Sequence, residues 1–292
     1  MSEDMSGRKP TYYVASFSGG KDSTAMVLHM LELNYPLDEV IFCDTTMDFP
    51  GMLRHVEKIK RVVEDAGIKF TTLRAEHDFE YYLTAVEAPN RSKDSKYSGV
   101  PGYGWPSHRS RWCTKNLKLS LIQNYLKNLR EEYEVIQYVG IAADEDYRMG
   151  RKSNRKVGLR FPLRAWNWTE ADAMAYCREK GYDWEGLYDI FHRVSCWLCP
   201  LQVYGNLRNL RKHFPDLWQE LLRLDANQWK TFAQGYRVSD FDQRFALEDA
   251  LSEHGYGIHN RRFFADLKRL LNNEATIETI LEERGEGKEC VN

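Results

Sequence analysis

A glycine pair set between an apolar strand-like run and a helix-like pattern is the feature that most restricts how this chain can fold. Tyr12 to Ser16 is short, apolar and β-rich, and it stops at Ser18-Gly19-Gly20. From Asp22 the apolar residues Ala25, Met26, Leu28, Met30 and Leu31 recur as on a helix. A buried strand pattern follows at Glu39 to Cys43. Next come a helix pattern through Leu53, Val56, Ile59, Val62 and Val63, and a third strand at Lys69 to Leu73. Strand alternating with helix predicts a parallel sheet with crossover helices. A helix pattern from Leu117 to Leu129 leads into a fourth strand, Glu134 to Ile141. Pro89 to Ser110 is a long Ser-, Gly-, Pro- and aromatic-rich connection, of the length that is usually functional or mobile. Arg148 to Arg160 is a second irregular, basic loop. Thr169 with Asp172 three residues on starts another helix in the manner of a capping box. Past Tyr204 the pattern is helical, with apolar sets for three or four helices. The predicted fold is therefore α/β, a parallel sheet sandwiched by helices with a helical C-terminal extension. Residues 1–10 form a flexible tail, 11–204 the α/β domain and 205–292 the helical region.

Composition excludes several alternatives. With 292 residues, 42% of them hydrophobic, the chain buries a real core and does not need its six cysteines as staples. Forty-three acids against 41 bases leave a net charge of −2. Any nucleic-acid contact must then be a local patch, such as Arg208, Arg211 and Lys212, whose simpler reading is an exposed helix face. No apolar run approaches the roughly 20 residues of a membrane span. The charged start has no apolar segment behind it and is not a secretory signal. The expected compartment is the cytoplasm, where cysteines stay reduced.

Chemically, Ser16 to Thr24 (Ser-Phe-Ser-Gly-Gly-Lys-Asp-Ser-Thr) is a strand, a two-glycine turn and a helix start. Gly19 and Gly20 let the backbone come close to an anion. The helix start presents N–H groups and a positive dipole end to phosphate. Ser18, Ser23 and Thr24 add hydroxyls, and Lys21 adds a point charge. This is not the mononucleotide loop of kinases and GTPases. That loop needs a glycine where Ala15 stands and a Ser or Thr where Asp22 stands. The plainer alternative is a Gly-Gly turn that ends a strand.

Ser18-Gly-Gly-Lys-Asp-Ser23 resembles the pyrophosphate loop (PP-loop) of the adenine nucleotide α-hydrolase superfamily, whose members cleave ATP between the α- and β-phosphates. Further stretches resemble the phosphoadenosine phosphosulfate (PAPS) reductase family within it. These are Asp44-Thr-Thr-Met-Asp-Phe-Pro50, Arg111-Trp-Cys-Thr-Lys115, Gly140 to Arg148, Phe161-Pro-Leu163 with Trp168 to Asp172, and Arg193 to Pro200. They run in family order over about two-thirds of the chain. The resemblance implies the HUP-type sheet of that superfamily and an adenine nucleotide held by Ser16, Ser18 to Thr24, Asp44 and Gly140. Lys21, Asp44 and Arg148 would act on it. Asp44 would contact nucleotide or Mg²⁺, unless it only forms a turn. Arg148, with Arg151 and Lys152, would supply an anion site. The complete loop points to ATP rather than PAPS or adenylyl sulfate. Two departures stand out: Ala142 occupies a family arginine, and the end reads Glu289-Cys290-Val-Asn292, without the reductase family's Gly and His after the cysteine.

Cys196 and Cys199 are spaced to chelate one metal. The resemblance adds Cys113 and implies a [4Fe–4S] cluster on three thiolates. Zn²⁺ with His192 as a fourth ligand, and a reduced pair without metal, are the alternatives. Cys43 and Cys177 read as core. Among the loop residues Tyr103, Trp105, His108, Arg109 and Arg111, the aromatics could stack on a base and the arginines hold an anion. Glu145 with Asp144 could polarise a substrate. His29, His55 and His77 read as structural. Three functions are expected from this. One is an ATP-dependent enzyme that adenylates an unidentified acceptor, in which sulfur from a donor protein then displaces AMP. Another is a PAPS or adenylyl-sulfate reductase that makes sulfite with Cys290 as nucleophile. The third is a non-catalytic nucleotide-sensing subunit of a nucleic-acid modification or defence complex.

Overall fold

The computed structural model describes residues 9–87, 97–150, 157–194, 196–233, 235–253 and 261–284. By its contacts the chain divides into two units, Met1–Cys199 and Pro200–Asn292. The first is built on five strands: β1 (Thr11–Phe17), β2 (Glu39–Asp44), β3 (Lys69–Arg74), β4 (Glu134–Val139) and β5 (Leu159–Arg160). Their order is β3-β2-β1-β4-β5, and every neighbouring pair is parallel. This is the helix-flanked α/β sheet that the strand–helix alternation predicts. β5 is only two residues long and leaves no periodic trace in the sequence. β4 stops at Val139 because Ile141 turns back, its N–H donating to the Val139 carbonyl.

The strand order reverses about β1. Its sequence neighbour β2 lies on one side and β4 on the other. The crevice past the C-terminal ends of β1 and β4 is where an open α/β sheet binds ligands. Helix α1 (Lys21–Glu32) leaves β1 at that point. Its residues Ala25, Met26, Val27, Leu28 and Met30 are buried, and it packs on the Glu170–Glu179 helix. Pro50 starts α2 (Pro50–Asp65) at a position where the missing N–H costs nothing. α3 (Phe79–Thr84) is capped by Asp78, which accepts the Tyr81 N–H at 2.8 Å. The Ser120–Glu132 helix covers Val14, Ile41 and Val135 with Leu126. It is preceded by a turn at Trp112–Thr114 and a π-helical stretch at Lys115–Leu119, neither of which the apolar spacing predicts. The capping box of Thr169 and Asp172 is present.

The described part of the long connection is packed. Trp105 is fully buried beside Phe79, Tyr103 stacks on Tyr82, and the Trp112 indole donates to the Gly104 carbonyl at 2.9 Å. This corrects the reading of Tyr103 and Trp105 as base-stacking residues, since their rings serve a small aromatic core. His108, Arg109 and Arg111 are exposed.

The second unit holds five helices among its described residues: Tyr204–His213, Pro215–Ala226, Val238–Glu253, Arg261–Leu271 and Ile277–Arg284. One cluster joins Leu251, Phe263, Leu267, Leu270 and Ile280. Arg208 pairs with Asp249 at 2.9 Å, and Arg211 pairs with Asp242 at 2.8 Å and with Asp249 at 2.7 Å. The two arginines are thus spoken for inside the unit rather than presented as a basic face. No helix among the described residues is long and apolar enough to cross a membrane.

Two buried polar centres hold the first unit. At the start of β2, Glu39 is fully buried. It accepts from Tyr125 at 2.6 Å, from Tyr12 at 3.3 Å and from Thr71, and it pairs with Lys69 at 3.0 Å. Removing its carboxylate strands several buried donors. Glu39→Ala is expected to cost about 3 kcal/mol in urea unfolding, and Glu39→Gln less. On α2, buried His55 shares a 2.9 Å hydrogen bond between Nε2 and the Thr24 hydroxyl. Burial, helped by the charge of Lys58, lowers its pKa from 6.5 to about 4. The unfolded chain therefore takes up this proton first. Stability is full above pH 6.5 and falls as pH drops from 6.5 towards 4, by up to about 3 kcal/mol. Denaturant titrations at stepped pH should show this slope in the wild type and a flatter one in His55→Gln.

A phosphate-sized loop at the head of the first helix

The residues between β1 and α1 form a tight, internally bonded loop. The Ser18 N–H donates to the Ser23 hydroxyl at 3.1 Å, and that hydroxyl donates to the Gly20 carbonyl at 3.0 Å. Gly19 has a φ of 79°, and a Cβ there would meet the Met52 sulfur at 2.7 Å. Its carbonyl accepts the Trp184 indole N–H at 2.7 Å. Gly20 precedes α1 in an extended conformation and offers no capping side chain of its own. From the other side, Gly140 presses on the same helix start. A Cβ at Gly140 would stand 3.1 Å from both the N and the Cα of Ser23. A side chain at Gly140 would force the exit of β4 and the start of α1 a few tenths of an ångström apart.

This loop floors a cavity of about 520 Å³ at the C-terminal ends of β1 and β4. Charge of both signs lines it. The Lys21 ammonium bridges Asp22 at 2.9 Å and Glu170 at 2.5 Å. Burial works against that charge, but the hydrogen bonds to Asp22 and Glu170 outweigh it and the Lys21 pKa rises. Burial also raises Asp22, against the pull of Lys21, and the charges of Glu170 and Glu145 add to the rise. Arg148 grips the buried Glu145 with contacts of 3.0 and 2.8 Å. Lys118 and Arg193 add cationic lining, and His192 lies beside them. The mixture suits a polyanion carrying a divalent cation. The cations meet phosphate oxygens, and Mg²⁺ needs only one or two carboxylates beside its phosphate ligands and waters.

Of the residues singled out in the sequence, Ser16, Ser18, Gly20, Lys21, Asp22, Ser23, Gly140 and Arg148 line this cavity together. Three others of the expected nucleotide contacts do not. Gly19 faces Met52 and Val56. Thr24 is fully buried, bonded to His55. Asp44 folds into its own turn, accepting the Thr46 N–H at 2.8 Å, with Arg74 at 3.7 Å. The turn of the alternative reading is thus present. Ser16 sits at the wall, its hydroxyl accepting from Gln137 at 2.8 Å. Asp144 accepts the Glu170 N–H at 3.1 Å.

Among the described residues no group of three or more His, Cys, Asp or Glu could hold a metal ion. Cys113, Cys196, Cys199 and His192 form no such group here, and a cluster or Zn²⁺ on them is a proposal rather than an observed site. The half-buried Lys118 ammonium stands near Cys43, Cys113 and Cys196. Burial opposes its charge, but attraction to Cys196, Asp48, Cys43 and Cys113 raises its pKa. Burial pushes the Cys196 thiol up to about 12. Cys196 and Cys199 stay paired in a tight turn, with the Cys199 N–H on the Cys196 carbonyl at 3.1 Å. Cys43 lines the cavity, with its thiol on the Lys118 carbonyl at 3.9 Å, and is not simply core. Cys177 is buried under α1, its thiol on the Lys21 carbonyl. Arg151, Lys152 and Cys290 lie outside the described residues.

Sequence reasoning missed Lys118 and Tyr188. Lys118 has no motif of its own and enters the wall through the π-helical stretch. Tyr188 lines the cavity and accepts the Lys21 N–H on its hydroxyl at 3.1 Å. Only the sequence neighbourhood of Trp184 and Gly186 hints at a sharp turn there.

The geometry can be set beside known proteins. The uncharacterized protein MJ0066 of Methanocaldococcus jannaschii is 27% identical over 220 residues, which is 73% of this chain and 41% of that protein. The chain thus spans about two-fifths of the length of the curated relative it matches. Among solved structures, the U34-tRNA thiolase NcsA from Methanococcus maripaludis, solved with its [4Fe-4S] cluster, is 15% identical. It covers 76% of this chain and 73% of its own, at a TM-score of 0.35. A family model, the phosphoadenosine phosphosulfate reductase domain, matches residues 12–202, well over half of the chain, and to that family the protein belongs.

Proposed function

We propose that the chain binds ATP at the Ser18–Ser23 loop and transfers its adenylyl group to an acceptor, releasing pyrophosphate. The observation that carries this reading is the loop itself. A complete Ser-Gly-Gly-Lys-Asp-Ser stands at a helix start whose N-cap is a glycine, on the floor of a cavity of about 520 Å³. An acceptor oxygen would attack the α-phosphorus while the bond to the β,γ-pyrophosphate breaks. Lys21 would leave Asp22 and Glu170 for the departing pyrophosphate, stabilising charge that grows in the transition state. Arg148 and Arg193 would hold the outer oxygens, and the freed Asp22 would share Mg²⁺ with the phosphates. Mg²⁺, when bound, supplies further neutralisation of the leaving group. Supporting a sulfur-handling outcome, Cys43 lines the same cavity and Lys118 links it electrostatically to Cys113 and Cys196. The acceptor, a sulfur-donor protein and a nucleic-acid partner belong to this proposal as open identities.

Membership of the reductase family favours a second reading, reduction of PAPS or adenylyl sulfate to sulfite with Cys290 as nucleophile. A Cys290→Ser variant that still reduces the sulfonucleotide normally would dispose of it. Tight ATP binding without turnover, with a partner that co-purifies, would instead point to a sensing subunit.

Under the first reading, ATP and Mg²⁺ with acceptor yield pyrophosphate and the adenylated acceptor, which gives up AMP once a sulfur nucleophile displaces it; ADP and phosphate as products would refute it. Lys21→Ala should lower kcat/KM for ATP by about 100-fold or more, measured by pyrophosphate release.

A further inference from the structure

Trp184, Glu185 and Gly186 are three consecutive residues in the left-handed region, with φ of 52°, 55° and 77°. For tryptophan and glutamate this backbone is unfavourable and persists only where surrounding contacts enforce it. Here they do. The Trp184 indole donates to the Gly19 carbonyl and its ring packs on His55, while Glu185 is gripped by Arg54. The strained turn delivers Tyr188 to the head of α1, where a Cβ on Gly20 would stand 3.3 Å from its hydroxyl.

Among the described residues the Tyr188 hydroxyl makes one hydrogen bond, accepting the Lys21 N–H at 3.1 Å. Its own proton has no acceptor there, yet the side chain lines the nucleotide cavity. We propose that Tyr188 is a phosphate-binding residue that donates its hydroxyl proton to an oxygen of the β,γ-pyrophosphate. Helix α1 lends its positive end to the phenol through the Lys21 amide, which strengthens the phenol as a donor. Burial raises the Tyr188 pKa, so the proton is present throughout the neutral range. The competing role is a post that merely props the loop, with the ring edge-on to Trp184 at 4.9 Å.

The inference rests on the ATP reading, and the experiment separates the two. Binding of inorganic pyrophosphate and of AMP is measured by calorimetry on the full chain, wild type and Tyr188→Phe, with thermal melts of both. A hydrogen bond to a charged group predicts pyrophosphate binding about ten- to a hundredfold weaker in Tyr188→Phe, with AMP binding unchanged. Equal pyrophosphate affinity in the two proteins would overturn the inference while leaving the ATP reading intact. Equal weakening of pyrophosphate and AMP, with a lowered melting temperature, would assign Tyr188 to propping the loop and overturn it too. Wild-type protein that binds neither pyrophosphate nor ATP would remove the ATP reading and the inference together.

Discussion

The hydrogen bond on which the rest of the site most depends holds the glycine loop from outside: the Trp184 indole on the Gly19 carbonyl. A loop of small residues has little side-chain surface with which to fix itself, and glycine has the most conformational freedom to lose. The buried indole, Met52 against Gly19 and Gly140 against Ser23 together leave the loop one shape. The Thr24–His55 bond fastens the first turn of α1 to α2 beneath it. Rigidity that the loop sequence cannot supply is borrowed from α2, from the exit of β4 and from the Trp184 turn.

Charge in the cavity is arranged as pairs that a ligand can trade. Without phosphate, Lys21 rests on Asp22 and Glu170, and Arg148 rests on Glu145. Cations left alone in a half-buried wall would be costly, and carboxylates equally so. Pairing keeps both signs present, and under the proposed reading a polyanion and its metal would replace the partners. The exchange conserves charge neutrality, so the cavity need not be strongly basic. A chain with a net charge of −2 can therefore hold a nucleotide.

Much of this was legible in the sequence because it rests on local rules. The alternation of apolar runs gave the parallel sheet, and the spacing of Ser18 to Ser23 gave the loop. What escaped notice depends on contacts between distant segments. Thr24 sits in the motif, but its hydroxyl answers to His55, 31 residues away, and not to the cavity. Asp44 follows a strand as a ligand-binding residue would, but its carboxylate is used by the Thr46 amide. Tyr188 is 167 residues from the Lys21 amide it meets, and no periodicity encodes that meeting. The cysteine spacing was legible, but the place of Lys118 near the thiols was not, because it depends on a helix irregularity.

That irregularity, the wide turn at Lys115–Leu119, has a consequence for how the wall is built. A regular helix advances each side chain by about 100°. One surplus residue in a turn therefore shifts the phase of the residues on one side of it relative to those on the other. Leu126 can stay locked over Val14 and Ile41 while Lys118 swings to the cavity. The wide turn acts as a phase adjuster between a packing surface and a chemical surface on one continuous rod. Each surface can then change its residues without forcing the other out of alignment.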